Sequence, residues 1–322
     1  MMTGNKTNGA LLTISISTRN RLESLVRCLQ SLVLISDFVR EIIVVDDCSE
    51  IPLEEPLRQS LGADFPLALR VIRHETNSGY IVARNTIVQS AATDFILNLD
   101  DDAFIIEPDA IRRALDVIRN DEQVAVVAFA QANEDGNSWP NTMQPSPVTY
   151  DCYIPSFIGF AHILRRNIFL SLGGYRSSFY FYGEEKEYCL RLLDAGYDVV
   201  YLPSALVAHV PDPAGRNAQK YLRYTVRNNC LGAIYNEPLV MMLPGVAARL
   251  LLYFRMKRGW KIHDPGGFTW IVKQVLSSLP AAWRERRSLK WATFRQWRKL
   301  RQSWPPYPIE DKGLAKLSNE GY

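Results

Sequence analysis

Short apolar runs and segments of helical spacing alternate along the first two thirds of the chain. LLTISIS (11–17) predicts a buried strand. Leu22, Leu25, Val26, Leu29, Leu32 and Val33 follow at helical spacing, with Thr18 or Asn20 in position to cap that helix. EIIVVDD (41–47) and ALRVIR (68–73) predict two more strands, and residues 80–92 a helix after the turn Asn77-Ser78-Gly79. FILNL (95–99) is the next strand, followed by a helix near 108–119 and the strand VAVVAFA (124–130). Residues 131–150 hold three prolines and no periodicity, which predicts a long loop. The pattern resumes with FIGFAHILRR (157–166), a Gly-Gly turn (173–174), a helix over 184–195, the strand DVVYLP (198–203) and a helix from about Asn217 to Ile234. Continuous apolar strands alternating with helices predict an α/β fold: a mostly parallel central sheet with helices on both faces.

FILNL runs directly into Asp100, Asp101 and Asp102. Three adjacent like charges need a positive partner or water. Ligands of open parallel sheets sit beyond the carboxyl ends of the strands, where this cluster and Asp46-Asp47 both fall. In extended backbone Asp100 and Asp102 share a face and Asp101 points away. Such a pair suits Mg²⁺ or Mn²⁺, whose remaining positions phosphate oxygens and water would fill. A solvated acidic turn, or a helix start favoured by acids, is the plain alternative. An EF-hand loop is excluded, because Phe104 and Ile105 fall where it needs a ligand and a glycine.

Five segments, in order, resemble the family-2 glycosyltransferases of GT-A fold over roughly residues 11–230. They are STRNR (17–21), VVDDCS (44–49), SGYIVARNTIVQSA (78–91), LDDDA (99–103) and the block GGYRSSFYFYGEEKEYCLRLLDAGYDVVYLPSALVAHV (173–210). The resemblance implies inverting transfer of a sugar from a nucleotide-diphosphate donor to a glycan or lipid-linked acceptor, of the hexosyltransferase type, in bacterial polysaccharide or cell-envelope assembly. It implies Mg²⁺ or Mn²⁺ on a D-x-D element, with Asp102 the direct ligand and Asp100 on the metal shell or the ribose. Asp101 stands beside them among the donor-binding residues. His209 is either a third ligand or a packed side chain. The same resemblance puts Asp47 at the nucleobase edge, and Thr18, Arg19, Asn20, Gly79 and Arg84 around the donor. Arg84 could equally pair with Asp47 or Asp100. The general base falls on Glu185, with Glu184 as the runner-up, where the family more often has Glu-Asp. Trp139, Tyr180 and Tyr182 supply either an acceptor floor or core packing.

The implied division is a flexible N-terminus (1–10), a catalytic domain (11–236) with a nucleotide-sugar half (11–130) and an acceptor half (131–236), and a C-terminal helical basic region (237–322). Composition changes the picture mainly there. Net charge is +3, yet residues 249–301 carry 14 Lys/Arg against two acids, so the remaining chain is acidic. Six of the seven tryptophans lie past residue 259. Residues 281–304 mix Trp and Phe with eight basic side chains, which predicts either attachment to an anionic membrane surface or a cap packed on the catalytic domain. The most apolar stretch, 238–254, is broken by Pro244, Gly245 and Arg249 and predicts no membrane span. With no apolar leader at the N-terminus, the expectation is a cytoplasmic enzyme, peripheral on the inner face of the membrane if the tail attaches. Five scattered cysteines without a C-x-x-C pair predict free thiols. No Walker loop, G-x-G-x-x-G, H-E-x-x-H, G-x-S-x-G or nucleic-acid module occurs. Two other functions fit such a sheet: a nucleotidyltransferase that makes the sugar nucleotide, for which a Gly-rich, Lys-bearing phosphate loop is missing, and a non-catalytic binding scaffold.

Overall fold

The computed structural model describes residues 11–211 and 217–308. The predicted flexible segment 1–10 and the end of the C-terminal region, 309–322, lie outside the described residues. One mixed sheet organises the molecule, in the order β3-β2-β1-β4-β8-β6-β9-β5, with β7 also pairing β9. Its strands are β1 (Leu12–Thr18), β2 (Val39–Asp46), β3 (Leu69–Arg73), β4 (Phe95–Asp100), β5 (Ala103–Phe104), β6 (Val124–Ala132), β7 (Cys152–Tyr153), β8 (Ala161–Arg165) and β9 (Asp198–His209). β3, β2, β1 and β4 are parallel, as are β6 and β9; the short β8 runs antiparallel to both β4 and β6.

Both faces of the sheet are covered, as continuous apolar strands require. On β2, Ile42 and Val44 join one core while Ile43 and Val45 join the other. The first core takes Leu25 and Leu29 from α1 (Leu22–Ser31) and Ile111, Leu115 and Ile118 from α4 (Pro108–Asn120). The second takes Ile81 and Ile87 from α3 (Tyr80–Ser90), Tyr188 and Leu192 from α6 (Glu184–Asp194), and Leu222 and Val226 from α7 (Ala218–Asn236). All five cysteines are free, as expected.

Several sequence expectations need correction. α1 stops at Ser31 and the chain tightens into a 3₁₀ segment, Leu32–Phe38, before β2. Neither Thr18 nor Asn20 caps α1: Thr18 Oγ1 donates to Asp101, and Asn20 bonds the 49–50 turn. A short helix, α2 (Glu54–Leu61), escapes the pattern because only Leu57 on it is buried. β9 continues through Pro203 to His209, with a register shift against β6 after Phe129. That extension pairs His209 with Ala103, next to the aspartate cluster.

Past α7 the chain forms α8 (Leu239–Gly259), α9 (Gly267–Arg284) and α10 (Trp291–Ser303), after the short α5 (Arg166–Ser171) earlier in the chain. α8 runs unbroken through Pro244 and Gly245. It is long and apolar enough to cross a membrane by length and composition alone. Here it packs Met242 and Tyr253 into the second core. α10 buries Phe294 and Trp297; Trp297 and Leu289 meet Leu190 of α6.

Candidate active site

Register brings the acidic strand ends to one level. Thr18 pairs with Asp46, and Ser17 with Asp100, so β2, β1 and β4 end side by side. Beyond Asp100 the chain turns and enters β5, whose pairing with β9 sets His209 beside Asp102. Ligand atoms of Asp100, Asp102 and His209 then all lie within 4.8 Å of one another.

Two arginines and a hydroxyl answer the three carboxylates. Arg21 spans the cluster, with Nη1 2.6 Å from Asp101 and Nη2 2.9 Å from Asp102. Thr18 Oγ1 donates to the other oxygen of Asp101 at 2.7 Å. Arg84, on α3 and nearly fully buried, donates to Asp100 at 2.5 Å, to Glu184 at 3.3 Å and to the Gly159 carbonyl at 2.9 Å. Burial works against the Arg84 charge, but Asp100 and Glu184 more than offset it and hold the guanidinium firmly protonated. Burial also pushes Asp101 up to about 7, against Arg21 and Thr18. In Asp102 burial raises the pKa, yet His209 and Arg21 together outweigh it and leave the carboxyl below its usual range.

The residues present fit a divalent cation. Asp102 Oδ1 is buried without a hydrogen-bond partner, while His209 Nε2 stands 3.5 Å away. The other ring nitrogen of His209 meets Gln131 Oε1 at 2.7 Å, which fixes the ring as an outer partner of a metal-binding histidine does. The ring is sandwiched between Trp139 and Phe160, with centroids 5.7 and 4.8 Å away. Two carboxylates and an imidazole make a donor set that accepts Mn²⁺ well and Mg²⁺ less well.

The two glutamates at the start of α6 differ sharply. Glu184 is fully buried and accepts from Tyr80 Oη at 3.1 Å and from Arg84. Glu185 keeps partial exposure. Its carboxyl lies so close to Gly159 that a Cβ there would collide with Glu185 Oε1 and come within 2.9 Å of Arg84 Nη1. Burial raises both carboxyls; Arg84 opposes the shift in each case, and the two acids interact.

The remaining expected residues divide. Asp47 is buried, accepting from the backbone of Ser78 and Gly79 at 2.9 and 2.7 Å and meeting His74 at 2.9 Å. Gly79 adopts a φ of +87°, and a side chain there would crowd Tyr180. Arg19 donates to the Cys48 carbonyl. Trp139 lies on His209, whereas Tyr180 and Tyr182 pack on Tyr224 and Tyr221 of α7, so the three aromatics split between two sides of the site. Arg84 meets Asp100, not Asp47. Sequence reasoning missed Arg21 and Gln131. Arg21 was signalled by the need for a cation near three acids; it ends the STRNR run.

With this geometry in view, comparison with known proteins is informative. The glycosyl transferase family 2 model matches residues 13–182. An uncharacterised glycosyltransferase of Bacillus subtilis, YwdF, is 28% identical over 219 residues, covering 64% of this chain and 76% of that protein. The pre-mycofactocin glycosyltransferase of Mycobacterium tuberculosis is 28% identical over 62% of this chain, which spans only 42% of that longer protein. A mannosyltransferase of Pyrobaculum calidifontis, solved with GDP-mannose and Mn²⁺, superposes with a TM-score of 0.56 at 16% identity, over 91% of this chain and 86% of that one. That likeness carries the GT-A fold. The chain belongs to glycosyl transferase family 2 and is a glycosyltransferase.

Proposed function

We propose that the protein transfers a sugar from a nucleotide-diphosphate donor to a hydroxyl of a saccharide or lipid-linked saccharide, with inversion at the anomeric carbon, in polysaccharide or cell-envelope assembly. The observation that carries this reading is the convergence of Asp100, Asp102 and His209 within 4.8 Å, with Asp102 Oδ1 unsatisfied. These three residues would hold Mg²⁺ or Mn²⁺. When bound, such an ion offsets, as a Lewis acid, the charge that develops on a departing diphosphate.

The chain's own side chains do the rest. Arg21 and Arg84 keep the acidic cluster compact and orient its oxygens. Thr18, Arg19, Asn20 and Gly79 frame the donor. Asp47, with one lone pair of Oδ2 left over from its bond to Gly79, meets the nucleobase edge. Glu185 takes the proton from the acceptor hydroxyl as that oxygen attacks the anomeric carbon from the face opposite the leaving phosphate. Burial favours this role, because a carboxylate with a raised pKa is a stronger base. Glu184, sealed from solvent by Tyr80 and Arg84, holds Arg84 in place. Tyr182, partly exposed, presents an aromatic face to the acceptor.

Two assays test the reading. UDP-, dTDP- and GDP-sugars, screened with Mg²⁺ and Mn²⁺, should include one that is hydrolysed or that stabilises the protein only with metal; failure of all three classes removes the proposal. Glu185→Gln should lower kcat by ~10²–10⁴ with little change in donor binding. Retained turnover in that variant would move the base elsewhere. Nucleotide binding with no transfer to any acceptor would favour the scaffold reading.

A further inference from the structure

Among the described residues, the C-terminal helices leave an apolar face that no other part of the chain covers. α8 turns Met242 and Tyr253 inward. Val240, Leu243, Ala247, Leu251 and Phe254 recur at steps of three and four residues and are exposed, Leu243 and Leu251 at 70% and 69%. Only 6% of the most apolar 18-residue window of this helix is buried. Phe254 touches Phe268 at the start of α9, with ring centroids 4.9 Å apart. α9 adds Leu276, Leu279 and Trp283, also exposed.

Charge identifies what covers this face. From Pro238 to Arg284 the single acidic residue is Asp264. It is buried and bonded to Arg223 and Tyr253. Arg255, Arg258, Lys261 and Lys273 are exposed, and among the described residues none of them meets a carboxylate. An apolar stripe bordered by cations and free of accessible acids matches the boundary between acyl chains and anionic headgroups. A second copy of the chain fits poorly, because a two-fold contact would bring the same cations together with no acid to answer them. The basic segment 281–304 is a weaker candidate, since its Phe294 and Trp297 are already buried against the body of the protein.

We propose that the α8–α9 face docks on an anionic lipid bilayer, lying in the interface with Leu243 and Leu251 among the acyl chains and Arg255, Arg258 and Lys261 at the lipid phosphates. This surface is separate from the transfer site and does not depend on it. The test is flotation of the full chain with vesicles of phosphatidylcholine alone or mixed with phosphatidylglycerol. The protein should float with the anionic vesicles, less at high salt, and weakly with phosphatidylcholine. The double variant L243E/L251E should lose about tenfold or more in vesicle partition, with unchanged thermal unfolding and unchanged donor turnover in solution. R295E/R298E on α10 should float as the parent does. The proposal is overturned if the parent stays in solution with anionic vesicles, or if L243E/L251E floats undiminished. A dimer of the parent that L243E/L251E disperses would overturn it in favour of self-association. Flotation needs no sugar nucleotide, so a protein that floats but fails every donor screen breaks only the transfer reading.

Discussion

Two acidic clusters end the strands that flank β1, and they behave oppositely. At the end of β2, Asp46 accepts from the Ser49 and Leu53 amides and from Arg73, while Asp47 accepts from Ser78 and Gly79. Those bonds shape the loops that precede α2 and α3. At the end of β4, among the described residues no backbone amide donates to the carboxylates of Asp100, Asp101 or Asp102; arginines and Thr18 hold them, and Asp102 Oδ1 has no hydrogen bond, with only His209 Nε2 beside it at 3.5 Å. Adjacent acids after an apolar strand are therefore one sequence signal with two physical meanings. Backbone amides occupy most of the first cluster's acceptor sites, with one lone pair of Asp47 Oδ2 left over. Their absence leaves the second with donor capacity for a cation.

The largest test of that contrast separates activity from stability. Asp102→Asn should lower kcat/KM by about 10³-fold, since a catalytic metal is worth several kcal/mol at the transition state. Its denaturant midpoint should stay near that of the parent. Asp46→Ala should do the reverse, losing about 3 kcal/mol of stability because buried amides of Ser49 and Leu53 lose their acceptor. Urea titration of both variants, beside turnover measured well below each midpoint, checks this. If Asp102→Asn unfolds as readily as Asp46→Ala, the two clusters do the same job.

A smaller effect sharpens the metal assignment. Gln131 bonds none of the three acids; its Oε1 meets the far nitrogen of His209, and its Nε2 donates to the Met143 carbonyl. Gln131→Leu should weaken Mn²⁺ binding by ~10–100-fold, the usual consequence of losing an outer partner, while leaving nucleotide binding without metal unchanged. Calorimetric titration with MnCl₂ reads this directly. Equal affinity in parent and variant would return His209 to a packing role between Trp139 and Phe160.

These contrasts also mark how far the sequence could be read. The longer strands were legible from their apolar runs, and α3, α4, α6 and α7 from spacing and the turns that precede them, whereas the two-residue β5 and β7 escaped. The direction of β8 was not, since a continuous apolar run carries no sign. The helical character of the region past Pro238 was legible, but the full extent of α8 through Pro244 was not. In the site, the convergence of Asp100, Asp102 and His209 was anticipated through motif resemblance. The difference in burial between Glu184 and Glu185 was not; Tyr80, 104 residues away in sequence, bonds Glu184. The amides on Asp46-Asp47 were not legible either: Ser49 and Leu53 fold back on Asp46 from its own turn, and Ser78 and Gly79 reach Asp47 from the loop after β3.

The most specific expected effect is in pH, because the two clusters should bend the pH dependence of stability in opposite directions. Burial would raise Asp46, but Ser49, the Leu53 amide and Arg73 outweigh it and hold the folded pKa below the unfolded value. Its contribution is present above about pH 4 and is lost as the pH falls through the folded pKa. Asp101 is pushed up to about 7, chiefly by burial, with Asp102 and Asp100 adding to it against Arg21 and Thr18. Between about pH 4 and 7 the folded chain keeps a proton that the unfolded chain releases, so stability falls as the pH rises through that window and then levels. One proton sets a ceiling of ~1.4 kcal/mol per pH unit on either slope. Unfolding measured from pH 3 to 8 in metal-free buffer should show Asp101→Asn removing the decline between pH 4 and 7, and Asp46→Asn removing the loss below pH 4. If Asp101→Asn leaves the decline intact, burial is not what distinguishes the β4 cluster, and its carboxylates are as well satisfied as those of β2.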